Sequence, residues 1–357
     1  MRIAIGALGF ALMVAAIADA FQTVVVARHA LRLPALARSF YRLTWLCFAA
    51  GARRIGSHWR RDRYLGLYGP LSLLLMLILW VVSLIIAFAM LHWAFDPRLD
   101  GVARGFTVDV YSSATTFFTL GAGPSENAAA EYLTVIEAGM GYSFLGLVIG
   151  YLPVLYQSFS ERELRILMLD ARAGSPPSAA QFILRRGGNP AKLEQRLMEW
   201  EEWALDLLRD HLSYPMLAFY RSQHVNQSWL AALTMVVDVS ALAMLGAEDD
   251  LKRQAGFTFA AGRHALVHTA AIFNAAPPAD RSERLGQDDF SRLCAAISAN
   301  PTPLRVERID AAELARLRSL YEPSAKALAA FLLMDLPPWM PPGAPPEENW
   351  RVTSWSR

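Results

Sequence analysis

The run Thr115-Thr116-Phe117-Phe118-Thr119-Leu120-Gly121-Ala122-Gly123-Pro124 carries residue types suited to holding a cation with backbone oxygens alone. In Thr119, Leu120, Gly121, Ala122 and Gly123, two glycines two apart let the chain turn successive carbonyls to one side, where they can replace an ion's hydration shell. These five residues are the candidate ion filter. Just upstream, residues 106–118 mix Ser113, Thr115 and Thr116 with aromatics. That mixture predicts a short re-entrant helix whose hydroxyls are satisfied inside protein, the only shelter for irregular backbone at membrane depth. The negative end of its dipole would favour a cation at the filter.

Other residues could do chemistry elsewhere. Glu137 and Asp19 are carboxylates in or beside apolar stretches, where such groups are costly. Glu137, one turn into a helix, either supports the filter or attracts cations, or is an ordinary interfacial carboxylate, and Asp19 reads as a partner for an arginine such as Arg28 or for a polar group on another helix. Arg221, His224 and Trp229 lie in a dense polar and aromatic cluster that either forms a pocket for a small anionic effector or is a hydrogen-bonded helix junction. His264 and His268, four apart, have ligand spacing without a carboxylate companion, so packing or solvent is the plainer reading. No metal beyond permeant ions, and no cofactor, is expected. No nucleophile–base pair or convergent acid pair appears, so an enzyme is not expected.

Composition supplies the elements that would position a filter. Of 357 residues, 54% are hydrophobic and 18% charged, below the roughly 25% charged of soluble proteins. Residues 65–95 and 138–160 contain no Asp, Glu, Lys or Arg, and each exceeds the roughly 20 residues needed to cross a hydrocarbon core. Residues 1–27 form a third apolar stretch, read as an uncleaved first helix, with a cleaved signal peptide as the alternative. The segment 28–64 is rich in arginine, from Arg28 through Arg63, opposed only by Asp62, which assigns it to the cytoplasmic side. Residues 40–50 within it predict either a helix in the headgroup layer or a packed connecting helix. Topology then follows: N-terminus outside, the filter facing out, the C-terminus cytoplasmic, all in the cell's inner membrane.

On the returning helix, Gly146, Gly150 and Pro153 read as a hinge and bend at a cytoplasmic gate. Residues 161–190 read as a linker, 191–336 as a cytoplasmic helical domain and 337–357 as a proline-rich tail. Helical periodicity runs over 193–212, 227–245, 252–275, 289–299 and 311–336, with an N-cap signal at Asp310 and Glu313. Residues 228–245 are apolar enough for a fourth span, but Asp238 at their middle favours a buried helix inside the domain. The fold class is therefore an all-α membrane protein of three transmembrane helices with a re-entrant loop, plus a helical bundle.

Residues 68–160 resemble the potassium-channel pore-loop family, whose filter reads Thr-Val-Gly-Tyr-Gly and is usually followed by Asp; the nearest likeness is to bacterial members with an extra N-terminal helix and a helical cytoplasmic domain. Thr119, Gly121 and Gly123 match, and Leu120 stands at the Val position. Ala122 replaces the bracing aromatic, and Pro124 the outer acidic residue. The resemblance implies a homotetramer in a lipid bilayer conducting potassium, with sodium passing as well if the filter is looser. Nucleic acid is not an expected partner. A non-selective cation channel and a non-conducting membrane-anchored signalling or scaffold protein are the alternatives.

Overall fold

The computed structural model describes residues 2–24, 35–95, 98–99, 102–103, 105–121, 127–185, 188–224, 226–277 and 283–341. Apart from a two-residue antiparallel ladder, Arg98–Leu99 with Val102–Ala103, the regular structure among them is helical. The chain divides into two units. One comprises Met1–Ala50 and Leu67–Gln157, the other Gly51–Gly66 and Ser158–Arg357. Four helices are long and apolar enough to cross a membrane: Arg2–Val24, the stretch His58–Phe95, Ala128–Leu169 and Trp229–Gly246.

In the first unit, α1 (Arg2–Val24) packs on α4 (Tyr68–Phe95). Small residues permit the approach. A Cβ at Gly9 would lie 2.9 Å from the Ala87 carbonyl oxygen, and one at Gly6 would lie 3.0 Å from Ala94 Cβ, the kind of contact that replaces a hydrophobic driving force between helices in lipid. Asp19 is buried on α1. It accepts from Trp80 Nε1 at 2.9 Å and from the Ala37 backbone N–H at 3.3 Å. Of the two expected partners, Arg28 lies outside the described residues, and the indole of Trp80 on α4 is the polar group on another helix.

The 40–50 stretch belongs to a longer helix, α2 (Ala35–Arg53). Ala37, Tyr41, Trp45 and Ala49, each four apart, form its buried stripe. Trp45 meets Tyr68 of α4 edge-on at 4.9 Å, and the Tyr68 hydroxyl lies 3.0 Å from Thr44 Oγ1. Leu36, Leu43 and Leu46 on the other faces are exposed, so the helix packs on α4 and leaves these apolar side chains uncovered.

After α4 come α5 (Phe106–Phe117) and α6 (Ala128–Ala173). The periodicity places α5 within one residue, but α6 begins ten residues before the charge-free run and ends thirteen after it. Its 46 residues span about 69 Å at 1.5 Å per residue. Glu137 therefore sits in the third turn of α6 rather than at its start, and it is fully buried. The helix also runs uninterrupted through Pro153.

In the second unit, the stretch read as a linker holds the end of α6 and then α7 (Ala179–Leu184). Also in this unit are α3 (His58–Gly66), α8 (Pro190–Ser213), α9 (Trp229–Gly246), α10 (Asp249–Ile272), α11 (Gln287–Ser298), α12 (Ala311–Ser319) and α13 (Glu322–Leu332). Asp310 caps α12 by accepting from the Glu313 N–H at 2.8 Å. The single helix expected over 311–336 is two, because Pro323 lacks an N–H and crowds the preceding turn, so the chain restarts with proline in the first turn of α13. The chain then leaves α13 through Leu333 at φ 53°.

Helix α9 is the centre of this unit, enclosed by α7, α8, α10, α12 and α13. Asp238 at its middle is fully buried and takes a two-pronged bond from Arg284, at 3.2 and 2.7 Å, with the Tyr321 hydroxyl donating to Oδ1. Arg284 also reaches Glu322 at 3.2 Å, which Arg318 holds at 3.0 Å. Asp238 keeps Arg284 firmly charged, outweighing the burial that opposes its charge. The tail's first residues close this network: Trp339 is buried, with the guanidinium carbons of Arg284 and Arg318 each 5.8 Å from its ring. Residues 342–357 of the tail lie outside the described residues.

Candidate functional site

Helix α5 is twelve residues long, too short to cross a membrane, and ends with its carbonyls turned into a tight reversal. Thr119 N–H donates to the Thr116 carbonyl at 2.9 Å, and Leu120 N–H to the Thr115 carbonyl at 2.8 Å. These bonds satisfy carbonyls that a helix end leaves open. Thr115 and Thr116 keep their own hydroxyls local, each donating to the Ser112 carbonyl, at 2.8 and 2.9 Å.

The backbone then takes an unusual course. Thr119 has φ 58° and Gly121 φ 99°, both left-handed, after Phe118 at φ −84°. Glycine bears this freely, whereas a β-branched threonine does not, and the cost is about 1–3 kcal/mol. Thr119, Leu120 and Gly121 are exposed. Ala122, Gly123 and Pro124 lie outside the described residues.

Behind this turn, α5 is held by both long helices of its unit. Ser113 is fully buried, donates toward Glu137 Oε1 and lies 2.9 Å from the Ile85 carbonyl oxygen of α4. His92 of α4 donates from Nε2 to Glu137 Oε2 at 2.9 Å. One turn on, Gly141 of α6 meets the end of α5 so closely that a Cβ there would stand 2.0 Å from the Phe117 carbonyl oxygen. Phe117 itself is buried, among residues that include Leu84, Ile85 and Phe144. The sequence pointed to Glu137 and to Ser113, but not to their pairing. His92 carries no local signal, because what selects it is contact between segments far apart in the chain.

The hinge residues are placed differently. A Cβ at Gly146 or Gly150 would meet nothing within 4 Å, and Pro153 is exposed. Tyr142, Leu145 and Ile149 beside them are exposed too, so this face of α6 is uncovered among the described residues, while Phe144 and Val148 on another face pack against a cluster that includes Met76, Leu77 and Trp80.

The 221–229 cluster, read as either an effector pocket or a helix junction, is bonded largely to protein groups. Arg221 pairs with Asp62 at 3.3 Å and donates to the carbonyls of Leu332 and Leu333 at the end of α13. Trp229 is fully buried, its indole N–H given to the Ala218 carbonyl at 3.1 Å. His224 is half-buried beside them. The crevice nearby, lined by Ile166, Leu169, Gln227 and Ser228 among others, has no room for a water molecule. The junction reading fits these residues. His264 and His268 lie with ring centres 4.0 Å apart and planes tilted by 42°, on a face where His264 is exposed and His268 half-buried. Among the described residues, no group of three or more potential metal ligands occurs. Comparison with protein-family models, with curated proteins and with solved structures gives no match.

Proposed function

We propose that this chain is one subunit of a potassium-channel-like tetrameric cation channel, with residues 119–123 as filter and α6 as the inner helix lining the path. The observation that carries the reading is the left-handed Thr119 at the end of α5. Strain of this kind in a β-branched residue persists only where the surroundings impose it, and it occurs where the sequence places a carbonyl-lined filter. A single loop cannot surround an ion, so the mechanism requires several copies. The exposed face of α6 around Gly146 and Gly150 gives those copies a surface on which to meet, with small residues allowing close approach.

In this reading α1, α4 and α6 cross the inner membrane, with the N-terminus outside and the arginine-rich 28–63 segment in the cytoplasm. Helix α9 stays within the cytoplasmic unit, because lipid exposure would strip Asp238 from Arg284. Each ion sheds water at the filter as carbonyl dipoles take its place, helped by the C-terminal end of α5. Gly146, Gly150 and Pro153 remain the proposed gate region. The test is current through bilayers containing the purified full-length protein under opposed potassium and sodium gradients. Reversal near the potassium equilibrium potential supports a selective filter. Reversal near zero makes the channel non-selective, and silence from a verified tetramer leaves a membrane-anchored scaffold.

A further inference from the structure

We propose that Glu137 is a positioning residue for the filter, fixing the height and rotation of α5 so that residues 119–121 present their carbonyls in register; this rests on the channel reading above. The argument is geometric. Glu137 and Gly141 are four apart on α6, and Ser113 and Phe117 are four apart on α5, so each pair lies on one face of its helix. The pairs meet rung on rung: Glu137 accepts from Ser113, and Gly141 receives the Phe117 carbonyl. Two rungs one turn apart define both the height and the rotation of one helix on another, which a single contact would leave loose.

The third helix closes the arrangement. His92 of α4 occupies the second oxygen of Glu137, and Ser113 also reaches the Ile85 carbonyl of α4. One carboxyl group thus ties α4, α5 and α6 at a single buried point. Two hydrogen bonds at full burial oppose any sliding, since displacement by one residue would leave a buried polar group unpaired. Only Phe118 separates the Phe117 seat from Thr119, and the carbonyls of Thr115 and Thr116 fold the chain back into the left-handed turn. An error in the height of α5 therefore passes directly to the filter, where ion preference depends on how carbonyls are held.

A merely structural role would lower stability and leave permeation alone, so the experiment reads both. Full-length wild-type, Glu137→Gln, Glu137→Leu, Ser113→Ala and the Glu137→Leu/Ser113→Ala double variant are purified as tetramers and recorded in bilayers with potassium opposite sodium, alongside thermal unfolding in detergent. Glu137→Leu is expected to change the permeability ratio or unitary conductance about tenfold, and Ser113→Ala about threefold. The double variant should add little to Glu137→Leu, because the two residues act as one contact. Glu137→Gln, which retains an acceptor and donors, should restore most of the wild-type behaviour. If Glu137→Leu does not assemble, Ser113→Ala against Glu137→Gln carries the comparison. Unchanged ratio and conductance in assembled variants, with only the melting temperature lowered, overturn the proposal. Silence of the wild-type tetramer would instead overturn the channel reading beneath it, before any variant is compared.

Discussion

Helices α6 and α9 have similar hydropathy and both are long enough to cross a membrane, yet 17% of one apolar window and 89% of the other is buried within the chain. The difference lies in what each helix asks of its surroundings. Asp238 on α9 requires a buried partner, and Arg284, Tyr321 and Glu322 build one inside the second unit. One face of the 142–150 stretch of α6 presents glycines, a tyrosine and aliphatic residues uncovered, while Phe144 and Val148 pack within the chain. Hydropathy sorts apolar helices from polar ones; the placement of a few polar and small residues sorts a helix enclosed by its own unit from one left with an open apolar face.

The contrast breaks most sharply at Arg284. Arg284→Ala leaves Asp238 buried and uncompensated, so the second unit should lose about 3–5 kcal/mol in denaturant titration followed by circular dichroism, while Asp238→Leu with Arg284→Met recovers much of it. No loss in Arg284→Ala would mean that α9 does not depend on this core. Gly141→Ala tests the other side. Its Cβ collides with the Phe117 carbonyl, and displacement of α5 should cost about 1–3 kcal/mol in thermal unfolding. Gly150→Ala meets nothing within the chain and should leave single-chain stability within about 1 kcal/mol while weakening self-association measured by cross-linking.

Acid sharpens the comparison in the second unit alone. His211 is buried, with both ring nitrogens unbonded among the described residues, and burial first, then Arg162, pushes its pKa well below the usual histidine value. The unfolded chain therefore binds this proton more readily than the folded one. The contribution is complete above about pH 6.5 and is lost as pH falls below it, at up to about 1.4 kcal/mol per pH unit. His211→Gln should flatten that slope in unfolding measured from pH 7.5 to 5; an unchanged slope would assign the acid sensitivity elsewhere. The smallest effect expected is at the α12 cap, where Asp310→Ala should cost about 1 kcal/mol.

How much of this was legible in the sequence depended on whether the signal was local. Helix α5, the α12 cap and the burial of Asp238 follow from short-range pattern. The ends of α6 did not, because charged residues after Ser160 mark where an apolar stretch stops and not where a helix stops; Arg162 is buried there with its guanidinium on the Leu217 and Tyr220 carbonyls. The break at Pro323 is legible in its residue type, but the long periodic run around it carries the same apolar spacing on both sides. The Glu137 cluster required three helices to be in place, and the partners of Arg221 came from α3 and from the end of α13, more than a hundred residues away in each direction.

The central claim rests on the left-handed turn after α5, and Gly121 gives the most direct access to it. At φ 99° no other residue fits without strain, so Gly121→Ala should redirect the carbonyls while leaving the helices intact. Single-channel recording of wild-type and Gly121→Ala tetramers in symmetrical potassium is the measurement. Discrete potassium currents in the wild type and silence in assembled Gly121→Ala are the predicted result. Equal currents from the two, or none from a wild-type tetramer, would contradict it.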